Sequence, residues 1–259
     1  MDSGILFWFS KEAWRMISVD SFSLKIGKRQ VLQDISFNLP KGEVLGISGS
    51  MGSGKTSLLY CLKAIIPVLK KGDVSGDIFL NGVSVGKKEL RKDIGIVFQD
   101  PNDQIFSRTV YDEVCFGLKN YSYSGATLNQ KIQTALTDMG LWERRDDDPF
   151  ELSQGQKQKL ALASVLAMDP QILLLDEPTA SLDYRTALEV YSILGDLQKS
   201  GKTIVIVDHN TDLLSSIANR FLILDNGFQV AFGTQDIFLK PEVKNAGVKI
   251  PWRLSEKRV

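Results

Sequence analysis

The element that most constrains this chain is the octapeptide Gly49-Ser50-Met51-Gly52-Ser53-Gly54-Lys55-Thr56, which fits the pattern GxxxxGK[ST]. It follows an apolar run, Glu43 to Ser48, that predicts a buried strand, and it precedes a segment with helical periodicity. Glycines let backbone N–H groups converge on phosphate oxygens, and the following helix directs its positive dipole end at the same anion. The pattern therefore predicts a phosphate-binding loop; an unrelated glycine-rich turn is the alternative.

Within this loop, Lys55 can reach the β- and γ-phosphates, and the Thr56 hydroxyl can bind Mg²⁺. The predicted nucleotide-binding residues are Gly49, Ser50, Met51, Gly52, Ser53, Gly54, Lys55, Thr56 and Ser57.

Composition excludes several other classes of protein. The 259 residues hold 31 Lys+Arg against 31 Asp+Glu, and a non-specific nucleic-acid binder needs a basic face. Cys61 and Cys115 lie far apart, so they build neither a Cys-rich zinc site nor a disulfide scaffold, and a reducing compartment is expected. The single histidine excludes a His-rich metal centre. No apolar run approaches the roughly 20 residues of a membrane-spanning helix.

Strand and helix signals alternate along most of the chain and predict an α/β fold with a parallel sheet covered on both faces. Antiparallel strands are expected from Ile17 to about Phe37, and a helical insertion is expected at about residues 100–152. The helix after the phosphate loop is expected to run through Ile66 and to be closed by Pro67. A hairpin is predicted from Phe221 to Phe232.

Residues 1–16 differ from the rest of the chain, because aromatic side chains crowd there without a clear period. Two interpretations stay open: an extension that packs on the body or on a partner, or a true start at Met16. The run from Ile5 to Phe9 is not typical of a signal peptide, because it lacks a basic n-region.

Two further motifs carry chemistry. An apolar strand, Ile172 to Leu175, ends in the adjacent carboxylates Asp176 and Glu177, where a sheet edge would meet a ligand. Asp176 suits a role at Mg²⁺ and Glu177 suits polarisation of an attacking water, although such a strand end is often only solvated. The segment 152–156, Leu-Ser-Gln-Gly-Gln, has the spacing of a capping box, so it is either a well-capped helix or an anion site at a helix N-terminus.

The motifs are, in sequence, the phosphate loop, Gln99 after a strand, the LSxGQ element, Asp176-Glu177 and a histidine after the next strand. The order of the motifs along the chain resembles that of the ABC-type ATPases. The resemblance covers roughly residues 17–235, with residues 236–259 as a short tail. It implies a P-loop NTPase (RecA-like) core with an N-terminal antiparallel β subdomain and an inserted α-helical subdomain.

The resemblance also implies how the site works. Two such domains would face head to tail, with each ATP between one phosphate loop and the other subunit's signature helix, which is the helix that follows the LSxGQ element at residues 152–156 (the signature). Glu177 would be the general base, and Gln99 would sense Mg²⁺ and the γ-phosphate. His209 would contact the γ-phosphate, although a lone histidine is more often structural. The remaining implied residues are Asp176 at the metal, Ser153, Gly155 and Gln156 of the signature, and Ser181 to Asp183, which would form a loop across the dimer interface.

Residues 97–106, 109–117 and 246–251 resemble the ATPase subunits of energy-coupling-factor (ECF) transporters, which import vitamins and transition-metal ions. Generic ABC importer sequence is the alternative. The ECF resemblance implies a paralogous ATPase subunit as hetero- or homodimer partner, an integral membrane coupling protein docked on the helical insertion, and a separate substrate-capture protein. It implies no nucleic acid as partner and a position at the cytoplasmic face of the membrane.

Three positions depart from the family pattern. Ile26 stands where an aromatic residue usually stacks on adenine, which predicts weaker or less adenine-selective binding. Gln154 replaces a commoner glycine, and Asn210 follows His209 where Asp is frequent. Two other functions stay open: a regulatory nucleotide-binding subunit with little turnover, and a soluble ABC ATPase that acts on DNA or ribosomes.

Overall fold

The computed structural model describes residues 15–85 and 93–255. The strands in this part of the chain are β1 (Arg15–Ile26), β2 (Arg29–Pro40), β3 (Val44–Gly49), β4 (Asp73–Leu80), β5 (Val83–Ser84), β6 (Ile94–Val97), β7 (Ile172–Asp176), β8 (Thr203–Val207), β9 (Arg220–Asp225) and β10 (Phe228–Gly233). The α-helices are α1 (Lys55–Leu62), α2 (Ile65–Val68), α3 (Val110–Asn120), α4 (Gly125–Asp138), α5 (Gln154–Leu166), α6 (Tyr184–Lys199), α7 (Thr211–Ile217), α8 (Pro241–Asn245) and α9 (Trp252–Ser255).

The described residues fall into two compact units. The first unit comprises residues 15–85 and 194–255, and the second unit comprises residues 93–193. The predicted α/β class is confirmed, because both units combine strands with helices.

The first unit is built on strands in the order β5-β4-β1-β2-β10-β9-β3-β8. At one end, β1 pairs antiparallel with both β2 and β4, which confirms the predicted antiparallel segment. At the other end, β3 lies between β8 and β9 and runs parallel to both. Every residue of β3 is buried, as expected of a parallel strand enclosed by its neighbours. This rigid strand leads directly into the phosphate loop.

The helix after the loop is shorter than predicted. It ends at Leu62, and a separate short helix, α2, begins at Ile65 and contains Pro67. The break falls at Ala64, whose φ of 64° is left-handed and cannot continue a right-handed helix. The apolar periodicity continued across the break because both helices bury their apolar side chains, so the prediction of one helix closed by Pro67 was wrong.

The second unit holds the parallel pair β6 and β7, with Ile94 opposite Ile172 and Val97 opposite Leu175. This register brings the residues that follow the two strands to the same edge. Helices α3 and α4 lie in the predicted helical insertion. Helix α5 begins at Gln154, directly after its N-cap residue Ser153.

The hairpin prediction is confirmed by β9 and β10, which turn at Asn226 and Gly227 with φ values of 48° and 83°. Of the aromatic segment 1–16, residues 1–14 lie outside the described residues, and Arg15 and Met16 belong to β1. Among the helices described, none is long and apolar enough to cross a membrane.

Candidate functional site

The first unit carries the phosphate loop, which starts at a glycine that no other residue could replace without displacing the backbone. Gly49 ends β3 with a φ of 150°, and a Cβ atom there would lie 1.8 Å from the carbonyl oxygen of Leu224. Gly54 has a φ of 99°, and a Cβ atom on it would lie 2.6 Å from Leu32 Cδ2. The loop therefore presses closely on β9 and β2, which fixes its path.

Lys55 is the first residue of helix α1 and is buried, with 6% of its surface exposed. Its Nζ donates to the carbonyl oxygens of Gly49 at 3.1 Å and Ser50 at 2.8 Å, so the backbone of the phosphate loop wraps around the ammonium group. A buried ammonium is costly unless it meets acceptors. A bound phosphate would supply anionic oxygens to the same group.

The loop contains a buried polar atom that suits an anion. Ser53 is only 1% exposed, and its Oγ has no hydrogen-bond partner among the residues described. Buried hydroxyls are normally hydrogen-bonded, so this one is suited to donate to a ligand oxygen. By contrast, Ser50 Oγ donates to Asp225 Oδ1 at 2.5 Å, which ties the loop to the end of β9. The donors of this loop therefore suit the phosphates of a nucleotide.

His209 also belongs to the first unit and follows β8. Its side chain is exposed, whereas the preceding Asp208 is buried and donates its backbone N–H to Ile47 O of β3 at 3.1 Å. Asp208 Oδ1 in turn accepts from the Asn210 N–H at 2.8 Å. The two residues thus hold His209 in a short turn between them.

The structure gives a reason for Asn210. It is the N-cap of helix α7, and its Oδ1 accepts from the Leu213 N–H at 3.2 Å. Asparagine and aspartate serve about equally well at this position. Replacing the commoner aspartate therefore keeps the helix start, and with it the turn that carries His209.

The second unit brings together the predicted sensor and the predicted base. Gln99 follows β6, Glu177 follows β7, and Gln99 Nε2 donates to Glu177 Oε2 at 3.1 Å. Asp176, which ends β7, is 3% exposed. Glu177 has a φ of 45°, a left-handed conformation that costs a glutamate of order 1–3 kcal/mol and tends to occur at functional sites.

The signature segment forms the predicted capping box. Ser153 is the N-cap of α5: its Oγ accepts from the Gln156 N–H at 3.4 Å, and Gln156 Oε1 accepts from the Ser153 N–H at 3.0 Å. Gly155 packs on Thr186 of α6, where an added Cβ atom would lie 2.7 Å from Thr186 Cγ2. Ser153 itself is exposed, so its hydroxyl can meet a partner from outside.

Asp183 caps the next helix. It accepts from Thr186 Oγ1 at 2.6 Å and from the Thr186 N–H at 3.1 Å. The hydrogen bond from the Thr186 hydroxyl, followed by that from its backbone, lowers the pKa of Asp183 below its usual range. The side chain is exposed and ionised at neutral pH.

Four residues that the sequence did not single out support these elements. Arg144 donates to Gln156 Oε1 at 2.9 Å and to Asp147 at 2.7 Å. Buried Glu113 accepts hydrogen bonds from the backbone N–H groups of Phe106 and Ser107. Thr186 donates to Asp183, and Asp225 accepts from Ser50. The pairs of Arg144 with Gln156 and of Asp225 with Ser50 span 12 and 175 positions, and no local pattern reveals such pairings.

Comparison with known proteins agrees with these features. The model of the ABC transporter family matches residues 32–180. The methionine import ATP-binding protein MetN of Clostridioides difficile is 35% identical over 228 residues, 87% of this chain and 71% of its own length. The energy-coupling factor transporter ATP-binding protein EcfA2 of Symbiobacterium thermophilum is 35% identical over 230 residues, 86% of this chain and 78% of its own length.

A solved structure, CbiO1 from Clostridium perfringens, superimposes with a TM-score of 0.79 at 30% identity and covers 95% of this chain and all of its own. That protein is part of the ABC transporter complex CbiONQ. The sequence match, the shared fold and the phosphate loop lead to one conclusion: this chain belongs to the ABC transporter ATP-binding family.

Proposed function

We propose that the chain is the ATP-hydrolysing subunit of an ECF-type importer and that Glu177 is its general base. The observation that carries the proposal is the hydrogen bond from Gln99 to Glu177, made while Glu177 is held in a left-handed conformation at the end of a buried strand. A strained carboxylate oriented by a neighbouring amide is a pre-organised group, as general-base catalysis requires.

In this proposal the two ends of the Gln99 amide have different tasks. The Nε2 group orients Glu177. The Oε1 atom would coordinate a metal ion and so respond to the presence of the γ-phosphate. His209 contacts the γ-phosphate from an exposed turn fixed by Asp208 and Asn210. Glu177 then removes a proton from the attacking water.

The residues of the phosphate loop suit ATP, since the buried Ser53 hydroxyl is suited to donate to a ligand oxygen and the positive charge of Lys55 lies inside the loop. We further propose Mg²⁺ as the cofactor, held by Thr56, Gln99 and Asp176 together with the nucleotide. Among the described residues, no group of three or more His, Cys, Asp or Glu side chains could hold a metal alone. Bound Mg²⁺ would neutralise charge on the phosphates.

ATP binding is proposed to close a head-to-tail dimer with a paralogous or identical ATPase subunit. The exposed Ser153 hydroxyl, the N–H groups that open α5 and the close packing of Gly155 on Thr186 suit a signature helix that offers donors to a phosphate on another subunit. Ionised Asp183, exposed beside them, would lie at the same interface.

The helical insertion is proposed to dock on an integral membrane coupling protein, which a substrate-capture protein accompanies. Phe106 and Phe116 support this step: they are 60% and 51% exposed, and their rings meet edge to face at 4.8 Å. Exposed aromatic pairs are costly in water and are typical of interaction sites. The subunit would then lie at the cytoplasmic face of the membrane.

A regulatory subunit with little turnover is a second candidate, which Ile26 and Gln154 favour. Ile26 is 40% exposed at the end of β1, and it can offer a base an apolar surface but no aromatic ring. A soluble ATPase acting on nucleic acid has less support, since the charge of the chain is balanced.

The decisive experiment recovers the tagged chain from its native membranes in mild detergent and identifies its partners. We expect a second ATPase chain and two integral membrane proteins. Substituting serine for both Phe106 and Phe116 should release the membrane proteins, whereas Phe228→Ser, an equally exposed control in the first unit, should not. Recovery with nucleic acid or ribosomes and without membrane proteins would overturn the importer assignment.

In the recovered complex, Glu177→Gln should retain bound ATP and lose turnover, because the amide keeps the shape but cannot accept the proton. The exposed Glu151→Gln is the control. Undiminished hydrolysis by Glu177→Gln would remove Glu177 from its assigned role, and an inactive wild-type complex would favour the regulatory subunit.

A further inference from the structure

The C-terminal segment, residues 246–255, lies against the first unit rather than free of it. Ala246, Val248 and Pro251 are buried, whereas Lys249, which lies between Val248 and Pro251, and Trp252, which follows Pro251, are exposed. Such alternation is typical of an extended segment laid along a surface. The segment is held at one point by a charged side chain from elsewhere in the unit.

That side chain is Asp212, the second residue of helix α7. Its Oδ2 accepts from Lys249 Nζ at 2.7 Å, and its Oδ1 accepts from the backbone N–H of Trp252 at 2.7 Å. The carboxylate is 24% exposed, and Lys249 is 68% exposed. Burial alone would raise the pKa of Asp212, but the hydrogen bonds from Lys249 and Trp252 outweigh it and lower the pKa. Asp212 is therefore charged at neutral pH, and both of its oxygens are used.

Helix α7 begins directly after the turn that carries His209. The N–H of Thr211 donates to the carbonyl oxygen of His209 at 3.1 Å, and Asn210 caps the helix. The opposite face of α7 is fixed, because a Cβ atom added to Gly46 of β3 would lie 3.3 Å from Leu214 Cδ2. In the first turn of the helix, Thr211 and Leu213 are buried as well, and Asp212 points the other way, toward the C-terminal segment.

We propose that Asp212 is a positioning residue for His209: by tying the C-terminal segment to the first turn of α7, it holds the turn in which His209 lies. This inference rests on the proposed role of His209 at the γ-phosphate. The physical link is short, since Asp212 is separated from His209 only by the N-cap Asn210 and by Thr211, which is fully buried. The segment 249–252 thereby becomes part of the machinery that sets the rate of hydrolysis.

The bond from Trp252 can be removed selectively. Trp252 is the first residue of α9, where proline is tolerated but has no N–H to donate. Trp252→Pro should therefore break the bond to Asp212, whereas Trp252→Ala removes the indole ring and keeps the donor. Asp212→Ala removes both bonds. Asp196→Asn is the matched control, because Asp196 forms a comparable exposed ion pair with Lys199 in the same unit.

Because the chain has one histidine, the ring C–H signals in the NMR spectrum of the full chain labelled with ¹³C-histidine all belong to His209. We expect Asp212→Ala and Trp252→Pro to shift or broaden the His209 ring signal at fixed pH. Trp252→Ala and Asp196→Asn should leave it in place. An unchanged His209 signal in Asp212→Ala would overturn the proposal, and this readout does not depend on activity.

Hydrolysis supplies the second test. Asp212→Ala should lower kcat by about tenfold, because a displacement of about 1 Å at a reacting group can cost up to about 100-fold. The Kd for ATP should stay within about twofold, since the phosphate loop is untouched. Combined with His209→Ala, Asp212→Ala should cause no further loss, because both changes act through one side chain. Losses that multiply would mean a merely structural role for Asp212.

These outcomes separate the two proposals. If His209→Ala leaves hydrolysis unchanged, the proposed role of His209 fails, whatever the spectrum of Asp212→Ala shows. If His209→Ala abolishes hydrolysis while Asp212→Ala keeps both the wild-type rate and the wild-type His209 signal, only the positioning role of Asp212 fails.

Discussion

Gln99 Nε2 donates a hydrogen bond of 3.1 Å to Glu177 Oε2, and this bond joins the ends of two neighbouring parallel strands. In the sequence the two residues are 78 positions apart. The register of β6 against β7 brings them together, because Val97 lies opposite Leu175. Any displacement of the segment after Gln99 is therefore transmitted to the carboxylate that we propose as the base.

Removing the amide of Gln99 should slow hydrolysis more than it weakens binding. For Gln99→Leu we expect kcat to fall roughly 10- to 100-fold, because the carboxylate loses the donor that orients it. The Kd for ATP should change much less. Steady-state kinetics with equilibrium binding measures both quantities. Gln171→Leu, an exposed glutamine just before β7, is the control, and equal losses in both variants would refute an orienting role.

Gly49 should tolerate no side chain. In Gly49→Ala the new Cβ atom would lie 1.8 Å from Leu224 O, and the backbone φ of 150° is unfavourable for alanine. We expect a loss of roughly 3 kcal/mol or more in the free energy of unfolding, since strain and overlap add. Chemical denaturation measures it. Gly52→Ala, which shares a positive φ but has no atom within 4 Å, should lose only about 1–2 kcal/mol.

Replacing Ile26 should reveal what an aromatic ring adds at this exposed position. Ile26→Tyr is expected to tighten ATP binding by roughly two- to tenfold, in line with a stacking contribution of about 0.5–1.5 kcal/mol. Calorimetric titration with ATP measures the change, and tripolyphosphate, which has no base, should bind both proteins equally. Leu69→Tyr, another exposed apolar position, should have no effect. Equal ATP affinity of Ile26→Tyr and the wild type would refute a contact with the base.

Cys61 should be inert in the folded protein. Burial raises the pKa of its thiol to about 12, so at pH 8 only about 1 in 10,000 molecules carries the reactive thiolate. A thiol reagent should therefore modify it only after denaturation, whereas an exposed cysteine introduced by Lys199→Cys should react at once. Rapid modification of native Cys61 would contradict its burial.

The raised pKa of Cys61 also makes the free energy of unfolding depend on pH in the alkaline range. Because folding raises this pKa above its ordinary value of 9.0, the folded state prefers the protonated thiol. The resulting stabilisation is complete below about pH 9 and is lost as the pH rises from 9 towards 12. Cys61→Ser or Cys61→Ala should weaken this alkaline dependence of the unfolding free energy.

The sequence predicted those features that depend on neighbours in the chain. The phosphate loop, the capping box at Ser153 and the hairpin at Asn226 each require only residues a few positions apart, and all three have the local structure expected. The helix break at Ala64 was missed because its apolar pattern continues on both sides. Periodicity reports which side chains are buried, and it does not report where a backbone turns.

Supporting residues lay beyond prediction for a different reason. Arg144 and Asp225 act through Gln156 and Ser50, partners that only the fold places in contact, and as single residues they are ordinary surface types. Asp212 is the clearest case, because its two donors lie 37 and 40 positions away in a segment without a recognisable motif. In contrast, Asn210 departs from the family pattern in the sequence itself, and its position as the N-cap of α7 explains why asparagine is tolerated there.

Gln156 Oε1 accepts two hydrogen bonds, one from the N–H of Ser153 and one from Arg144. One oxygen atom thus serves as a junction between the loop that carries Arg144 and the start of the signature helix. Substitution of glutamate at position 156 would keep both acceptor contacts and add a negative charge beside the exposed Ser153. A change at position 156 alone would therefore weaken the attraction of this helix N-terminus for an anion and leave its fold intact.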